Sequence, residues 1–231
     1  MPNPKPLAIV TGATGGMGSA IVRELATTHR VVAVGRTAEQ LAALARDSGA
    51  KTWELDITDS AALAALVAEV DRVDVLVHAA ARGGSLSVEA ASVADWTEYF
   101  AVNVTAPAEL TRLTLPLLRA AAGTVVFIGS GAGTRPVPGS AVYAATKHAL
   151  RGLADVLRID EEHHRVRVVT LAPGQTDTAM LRRSIPEHAY QTDRYIRPDS
   201  VAAAVRFVVD APADVQITDL AVRPRQEIAR L

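Results

Sequence analysis

The chain contains no cysteine. That removes disulfides, thiolate nucleophiles and cysteine-ligated metal sites together. It has no surplus of charge either. The formal net charge is -1 and the basic residues are scattered, which argues against nucleic acid or an anionic membrane as a partner. No apolar run approaches the roughly 20 residues that a bilayer span requires. The opening Met1-Pro2-Asn3-Pro4-Lys5-Pro6 is a proline-rich lead-in without the apolar segment of a signal peptide, so a cytoplasmic location is expected. A composition shift, a long linker and an internal repeat are all missing. What is present is 231 residues, 49% hydrophobic and 21% charged, enough to bury a substantial core. One domain over residues 1–231 is the expectation.

Residues 7–10 form a short apolar run that ends in Thr11-Gly12, as a buried strand entering a turn does. Helical spacing follows over 17–25. Residues 31–34 read as a second buried strand, and Thr37 caps an alanine-rich helix to about Arg46. The alternation continues, with strands at 52–55, 73–77, 124–128, 166–171 and 217–222. Helices fall at 59–70, 95–102, 105–121, 141–163 and 201–209. Strands apolar on both sides, alternating with helices, specify a parallel sheet covered on both faces. Right-handed crossovers make it a doubly wound, Rossmann-type α/β fold of about seven strands.

In such a sheet a ligand sits beyond the carboxyl ends of the strands. That rule directs attention to 11–18, 35–36, 56–57, 78–84, 129–139 and 173–178. Residues 181–197 carry Arg182, Arg183, His188, Tyr190, Arg194 and Tyr195 without a clear periodicity, and are expected to cover the site as a lid.

The first of these stretches is a phosphate loop by composition and position. Gly12, Thr14, Gly15, Gly16, Met17 and Gly18 follow the first strand and open the first helix. Glycines permit close backbone approach, and a helix N-terminus attracts a pyrophosphate. The end of the second strand reports on the ribose, where an acid suits the 2′-hydroxyl of NAD and an arginine suits a 2′-phosphate. Here it reads Gly35-Arg36-Thr37, with no carboxylate. Arg36 can fork onto a phosphate and Thr37 can add a hydroxyl. NADP(H) is therefore the expected cofactor. Gly15 stands where a second basic residue would strengthen that choice, so NAD(H) remains open as an alternative.

Tyr143 and Lys147 lie four residues apart in a helical pattern and so share one face. A phenol has a pKa of about 10, and a fixed ammonium beside it favours the phenolate. The expectation is a tyrosine whose pKa is drawn down towards the working range of a general acid/base.

With these residues placed, the chain resembles the short-chain dehydrogenase/reductase family over nearly its whole length. The matching pieces are the 11–18 glycine motif, Asp56, Asn103, Ser130, Tyr143 with Lys147, and Pro173-Gly174. Their order and spacing together are specific, although each alone is weak. The resemblance implies hydride transfer between a nicotinamide and a small carbonyl or alcohol substrate. Tyr143 would be the general acid/base and Ser130 would orient the substrate carbonyl. Lys147 would lower the tyrosine pKa and hold the nicotinamide ribose, and Asn103 would support Lys147 through an ordered water. Asp56 would contact the adenine with Ile57 beside it. Pro173-Gly174 would pack against the nicotinamide. Thr178 would bind its carboxamide or a phosphate, with Thr176 nearby. A homodimer or homotetramer through the alanine-rich helices at 105–121 and 141–163 is also implied.

One departure from the family pattern lies after the fourth strand. Where Asn-Asn-Ala-Gly is common, this chain has His78-Ala79-Ala80-Ala81. Ala79 and Ala81 bear on how closely the backbone approaches the adenine ribose, not on the proton chemistry. His78 reads as a histidine hydrogen-bonded at the sheet edge, with no ligand cluster around it to suggest a metal. His163-His164, at the end of a helix, read as dipole-complementing. Asp56 could also be simply the cap of the third helix. Two alternatives to a carbonyl oxidoreductase remain. One is a sensor that uses NADP(H) as a ligand; the other is an epimerase or dehydratase on the same scaffold.

Overall fold

The computed structural model describes residues 5–226. Most of the proline-rich lead-in, residues 1–4, and the end of the polar tail, residues 227–231, lie outside the described residues. Seven strands form one parallel sheet: β1 (Leu7–Thr11), β2 (Arg30–Gly35), β3 (Lys51–Glu54), β4 (Val75–His78), β5 (Thr124–Ile128), β6 (Arg167–Pro173) and β7 (Asp219–Val222), in the order β3-β2-β1-β4-β5-β6-β7. Eight α-helices accompany them among the described residues: α1 (Gly16–Ala26), α2 (Ala38–Ser48), α3 (Ser60–Ala68), α4 (Val93–Phe100), α5 (Ala106–Ala121), α6 (Ala141–Asp160), the short α7 (Ala179–Arg182) and α8 (Pro198–Val209).

Why the chain adopts this arrangement is clearest in β1. Side chains alternate across a strand, and both faces of β1 are buried. Ala8 and Val10 join a core with Ile21 and Leu25 of α1 and Val201 and Val205 of α8. Leu7 and Ile9 join a second core with Leu63 and Leu66 of α3, Leu110 and Leu118 of α5 and Leu150 of α6. The sheet is thus sandwiched between helices, and its central strands have no polar face to turn outward. Strand order reverses between β1 and β4, which pair Thr11 with His78 at their carboxyl ends. That reversal opens the crevice in which such sheets bind ligands.

Element ends shift by up to three residues from the sequence reading, and four local features bear on the site. The helical patterns at 95–102 and 105–121 are one rod, joined by a π-helical turn at Ala101–Thr105. The long helix stops at Asp160, and His163-His164 sit in a following 3-10 turn, Glu162–His164. The cap of α3 is Asp59, whose carboxylate accepts from Ala61 and Ala62 N–H at 3.0 Å, so Asp56 is not the cap. Residues 181–197 are not featureless, since they hold the end of α7 and two 3-10 turns, Glu187–Ala189 and Thr192–Arg194. An isolated bridge from Thr176 to Ile196 and the buried Tyr195 and Ile196 anchor the far end of that segment. Its near end is clamped by Asp177, which accepts from Arg182 Nε at 2.9 Å and from the Tyr190 hydroxyl at 2.7 Å. Among the described residues no helix is long and apolar enough to cross a membrane.

Candidate active site

The turn from β1 into α1 is wrapped so tightly that side chains would not fit. Gly12 takes a positive φ of 64°, a conformation that costs glycine nothing. A Cβ on Gly12 would stand 2.6 Å from the Ala80 nitrogen, and one on Gly18 would stand 2.1 Å from the Gly12 carbonyl oxygen. Gly15 N–H closes the turn onto Gly12 O at 2.9 Å. Gly15 is also the N-cap of α1, with no side-chain cap bond and no acidic residue in the first turn. The first N–H groups of an 11-residue helix therefore meet no carboxylate of their own, which suits an anion. The Thr178 methyl lies over this turn, 2.9 Å from where a Gly16 Cβ would be. Thr14 lies against Gly35 of β2.

At the end of β2, Arg36 is exposed, and Thr37 is the N-cap of α2 without a side-chain bond. The cap position foreseen for Thr37 is right, but its hydroxyl does not serve the helix. Asp56, after β3, accepts from Thr58 N–H at 2.9 Å and from the Thr58 hydroxyl at 2.8 Å. These two bonds, with the Arg36 guanidinium adding to them, hold its carboxyl below the usual range. Ile57 beside it is buried. Arg36, Thr37, Asp56 and Ile57 thus gather at the ends of β2 and β3.

At the end of β4 the run His78-Ala79-Ala80-Ala81 keeps the sheet in register, with His78 paired to Thr11 on one side and Phe127 on the other. The Thr11 hydroxyl bridges the two strands, donating to Val77 O and accepting from Ala80 N–H, both at 3.4 Å. The placement of His78 at a sheet edge is corrected: β4 is central, an order that no strand pattern announces. Its Nε2 pairs with the Thr111 hydroxyl of α5 at 2.9 Å, and its ring stacks on Phe127 at 4.8 Å. Burial pushes its pKa down to about 3, so it is neutral at pH 7.

Asn103 sits in the π turn and is buried. Its Oδ1 accepts from Arg82 N–H at 2.7 Å, while Nδ2 donates to Arg82 O and to the Thr146 hydroxyl, both at 2.9 Å. The amide therefore ties the loop after β4 to α6, with both N–H donors taken and one bond accepted by its oxygen. Four residues after Asn103 stands Pro107, which has no N–H to close an ordinary helical bond onto the Asn103 carbonyl.

The first two turns of α6 hold Tyr143 and Lys147. Lys147 is buried, donates to Ile128 O at 2.8 Å and lies 5.7 Å from the Tyr143 ring centre. Burial lowers its pKa to about 8. An ammonium has three N–H donors, so one carbonyl partner leaves two for a ligand. For Tyr143 the expected direction is reversed. Its burial, away from water, raises the phenol pKa; the neighbouring Ser130 hydroxyl works against that rise but does not overcome it. The Lys147 ammonium, 5.7 Å from the ring centre, does not reverse the rise. Ser130, after β5, accepts from Ala132 N–H at 3.2 Å and faces the same space.

A cleft of about 550 Å³ joins these parts. Met17, Ser130, Tyr143, Pro173, Gly174, Thr176 and Thr178 all line it. The Thr176 hydroxyl donates to Gly174 O at 3.0 Å and fixes the turn after β6. Asn103 and Lys147 do not line the cleft, and the Arg36–Asp56 group lies outside it. Gly83 and Gln175, in two of the expected ligand loops, also line it, as do Met180 and Arg223, which the sequence reading passed over. The signal that could have found Arg223 is the rule already applied to the other strands: it follows the carboxyl end of β7.

Comparison with known proteins agrees with this geometry. A family model described as short chain dehydrogenase matches residues 6–189. The NADP-dependent 3-hydroxy acid dehydrogenase of Shigella flexneri is 35% identical, over 94% of this chain and 94% of that protein. A solved closed form of serine dehydrogenase complexed with NADP+ superposes with a TM-score of 0.88 at 32% identity, covering 94% of each chain. A metagenomic short-chain oxidoreductase in complex with NADP gives a TM-score of 0.83 at 33% identity, covering 96% of this chain and 99% of that one.

Proposed function

The chain belongs to the short-chain dehydrogenase family of oxidoreductases, and on that premise we propose that it interconverts a carbonyl and an alcohol with NADP(H), Tyr143 acting as general acid/base. The observation that carries this reading is the convergence of the Ser130 and Tyr143 hydroxyls on one wall of the cleft, with the buried Lys147 ammonium behind them. We read residues 1–231 as one domain and 181–197 as its lid.

The residues present fit the cofactor. The uncapped N-terminus of α1 and its glycine turn suit a pyrophosphate. Arg36 and the Thr37 hydroxyl suit a 2′-phosphate, and Asp56 with Ile57 suits the adenine. Ala79, Ala80 and Ala81 would border the adenosine ribose. Pro173, Gly174, Thr176 and Thr178 would hold the nicotinamide end. The two remaining donors on Lys147 suit the vicinal hydroxyls of a ribose.

When bound, NADPH supplies the hydride to the carbonyl carbon. The protein's own part is the proton and the position. Ser130 donates a hydrogen bond to the carbonyl oxygen and orients it, and Tyr143 delivers a proton to that oxygen as negative charge develops. A phenol held above its ordinary pKa by burial stays protonated at neutral pH, which suits the reducing direction. Alcohol oxidation needs the phenolate and should gain as pH rises. The proton is replaced from the Lys147 side, where Asn103 would support an ordered water. Exposed Val156 and Ile159 on α6 support pairing of subunits along that helix, as a dimer or tetramer.

The test is steady-state absorbance of NADPH with a panel of aldehydes and ketones. Carbonyl-dependent oxidation of NADPH supports the reading. Tight NADPH binding without oxidation by any carbonyl would make the protein a nucleotide sensor instead.

A further inference from the structure

The charge on the walls of the cleft is one-sided. Two arginines, Arg135 and Arg223, line it, and among the described residues no aspartate, glutamate or lysine does. Outside the cleft, Arg182 pairs with Asp177, and Arg151 with Asp155 and Asp219. Arg135 is exposed, on the loop after β5, whereas Arg223 is half-buried.

Two glycines leave room for the path of the Arg223 side chain. β7 ends at Val222, whose carbonyl accepts from Gly174 N–H at 2.7 Å. From there the Arg223 side chain runs past Gly174, where a Cβ would stand 3.5 Å from its Cδ. It ends against Gly131, where a Cβ would stand 2.6 Å from Nη1 and 3.1 Å from Nη2. A side chain at Gly131 would displace the guanidinium from this position. Gly131 directly follows Ser130, and consecutive Cα atoms are only about 3.8 Å apart. The guanidinium therefore lies against the residue that follows Ser130, on the walls of the cleft that Ser130 and Tyr143 also line.

A half-buried guanidinium with no carboxylate opposite it on the walls calls for an anion from the ligand, and its planar fork matches a carboxylate. We propose that Arg223 binds the carboxylate of the substrate, and that the substrates this cleft prefers are short oxo acids and hydroxy acids. The inference rests on the reading that Ser130 and Tyr143 hold the reacting carbonyl in this cleft. The Tyr143 proton and the hydride then go to the carbonyl oxygen and carbon, while the carboxylate is held and unchanged.

The test compares acetoacetate with its uncharged methyl ester as NADPH-dependent substrates, in the wild type and in Arg223→Gln and Arg223→Lys. The wild type should favour the acid in kcat/KM. Arg223→Gln should lower the acid-to-ester ratio by about 10- to 100-fold, the range of a charge-assisted hydrogen bond, with Arg223→Lys in between. A wild type that prefers the ester, or a variant that leaves the ratio unchanged, overturns the proposal while the oxidoreductase reading stands. So does a variant whose main defect, by fluorescence titration, is in NADPH affinity. If neither carbonyl nor any other in the panel is turned over, the parent reading falls and this one with it. A measurement on the wild type alone guards against variants that do not fold. Propionate should inhibit ester reduction competitively and far better than propionamide, and equal inhibition by the two would contradict the proposal.

Discussion

Met17 of the turn between β1 and α1 shares a cleft with Ser130 and Tyr143, yet that glycine turn and the Ser130–Tyr143–Lys147 group are built by opposite means. At the turn, side chains are absent: a Cβ at Gly12 or Gly18 would overlap backbone. What it can offer a ligand is main-chain N–H, and it carries no titratable group. On α6 and β5 the side chains are present and taken out of water. Burial there moves the pKa of Tyr143 up and that of Lys147 down. The contrast teaches where damage should appear. Changes at the turn should alter cofactor binding and shape; changes on α6 should alter turnover and pH dependence while leaving shape intact.

The largest separable effect should come from Lys147→Met. Turnover should fall by about 10²- to 10⁴-fold, measured with saturating NADPH. The apo protein should nevertheless be more stable at pH 7, since a buried ammonium costs more than a buried thioether. The sign follows from a folded pKa of about 8, below the unfolded value. Between those two values the unfolded state holds more protons, so wild-type stability climbs with pH. The advantage of Lys147→Met in Tm should therefore be greatest below pH 8 and shrink above it. A constant advantage across pH would break the link between burial and the lysine charge.

Gly18→Ala should act through geometry. An added methyl 2.1 Å from the Gly12 oxygen forces the turn open, and the NADPH dissociation constant should rise by about 100-fold, the scale of a lost anion site and strained backbone. Fluorescence titration measures it, and near-normal affinity would mean that the turn is not the binding element. Arg36→Asp should move the ratio of kcat/KM for NADPH over NADH by about 10- to 100-fold towards NADH, as expected for one charge-assisted pair. An unchanged ratio would remove Arg36 from the 2′-phosphate site.

The smallest effect belongs to His78, a buried neutral group on the α6 side of the sheet. Its folded pKa of about 3 lies below its ordinary 6.5, so its contribution to stability is whole above pH 6.5 and is lost as pH falls towards 3. His78→Leu should flatten the decline in Tm between about pH 6.5 and 5, where carboxylates scarcely titrate. At pH 7 it should cost about 1–3 kcal/mol, because Thr111 loses its partner. A slope unchanged by the substitution would show that another group sets it.

The fold was legible because its signal is local. Doubly buried strands alternating with helices admit few architectures, and all seven strands lie where the apolar runs placed them. The lining of the cleft was legible for the same reason, since ligand loops follow strand ends. What was not legible depends on contacts distant in sequence. Asp56 and Asp59 are both plausible caps, and only the entry angle of the chain into α3 selects Asp59. The π turn at Asn103 needs the register of the joined helices, although Pro107 hinted at it. The direction of the Tyr143 shift depends on how much water reaches the phenol, which is set by tertiary packing and not by a lysine four residues away. Arg223 was not legible, because a lone arginine carries no address until the sheet folds and brings Gly131 and Gly174 beside it.

The division of labour between backbone and side chain is tested most directly by Tyr143→Phe. NADPH affinity by titration and turnover of a good carbonyl substrate should be measured on the same preparation. The account predicts a dissociation constant within about threefold of wild type and a kcat lower by about 10³-fold or more, since shape survives and the proton donor does not. A variant that keeps more than about a tenth of wild-type kcat would contradict it, because a lost general acid costs far more than that.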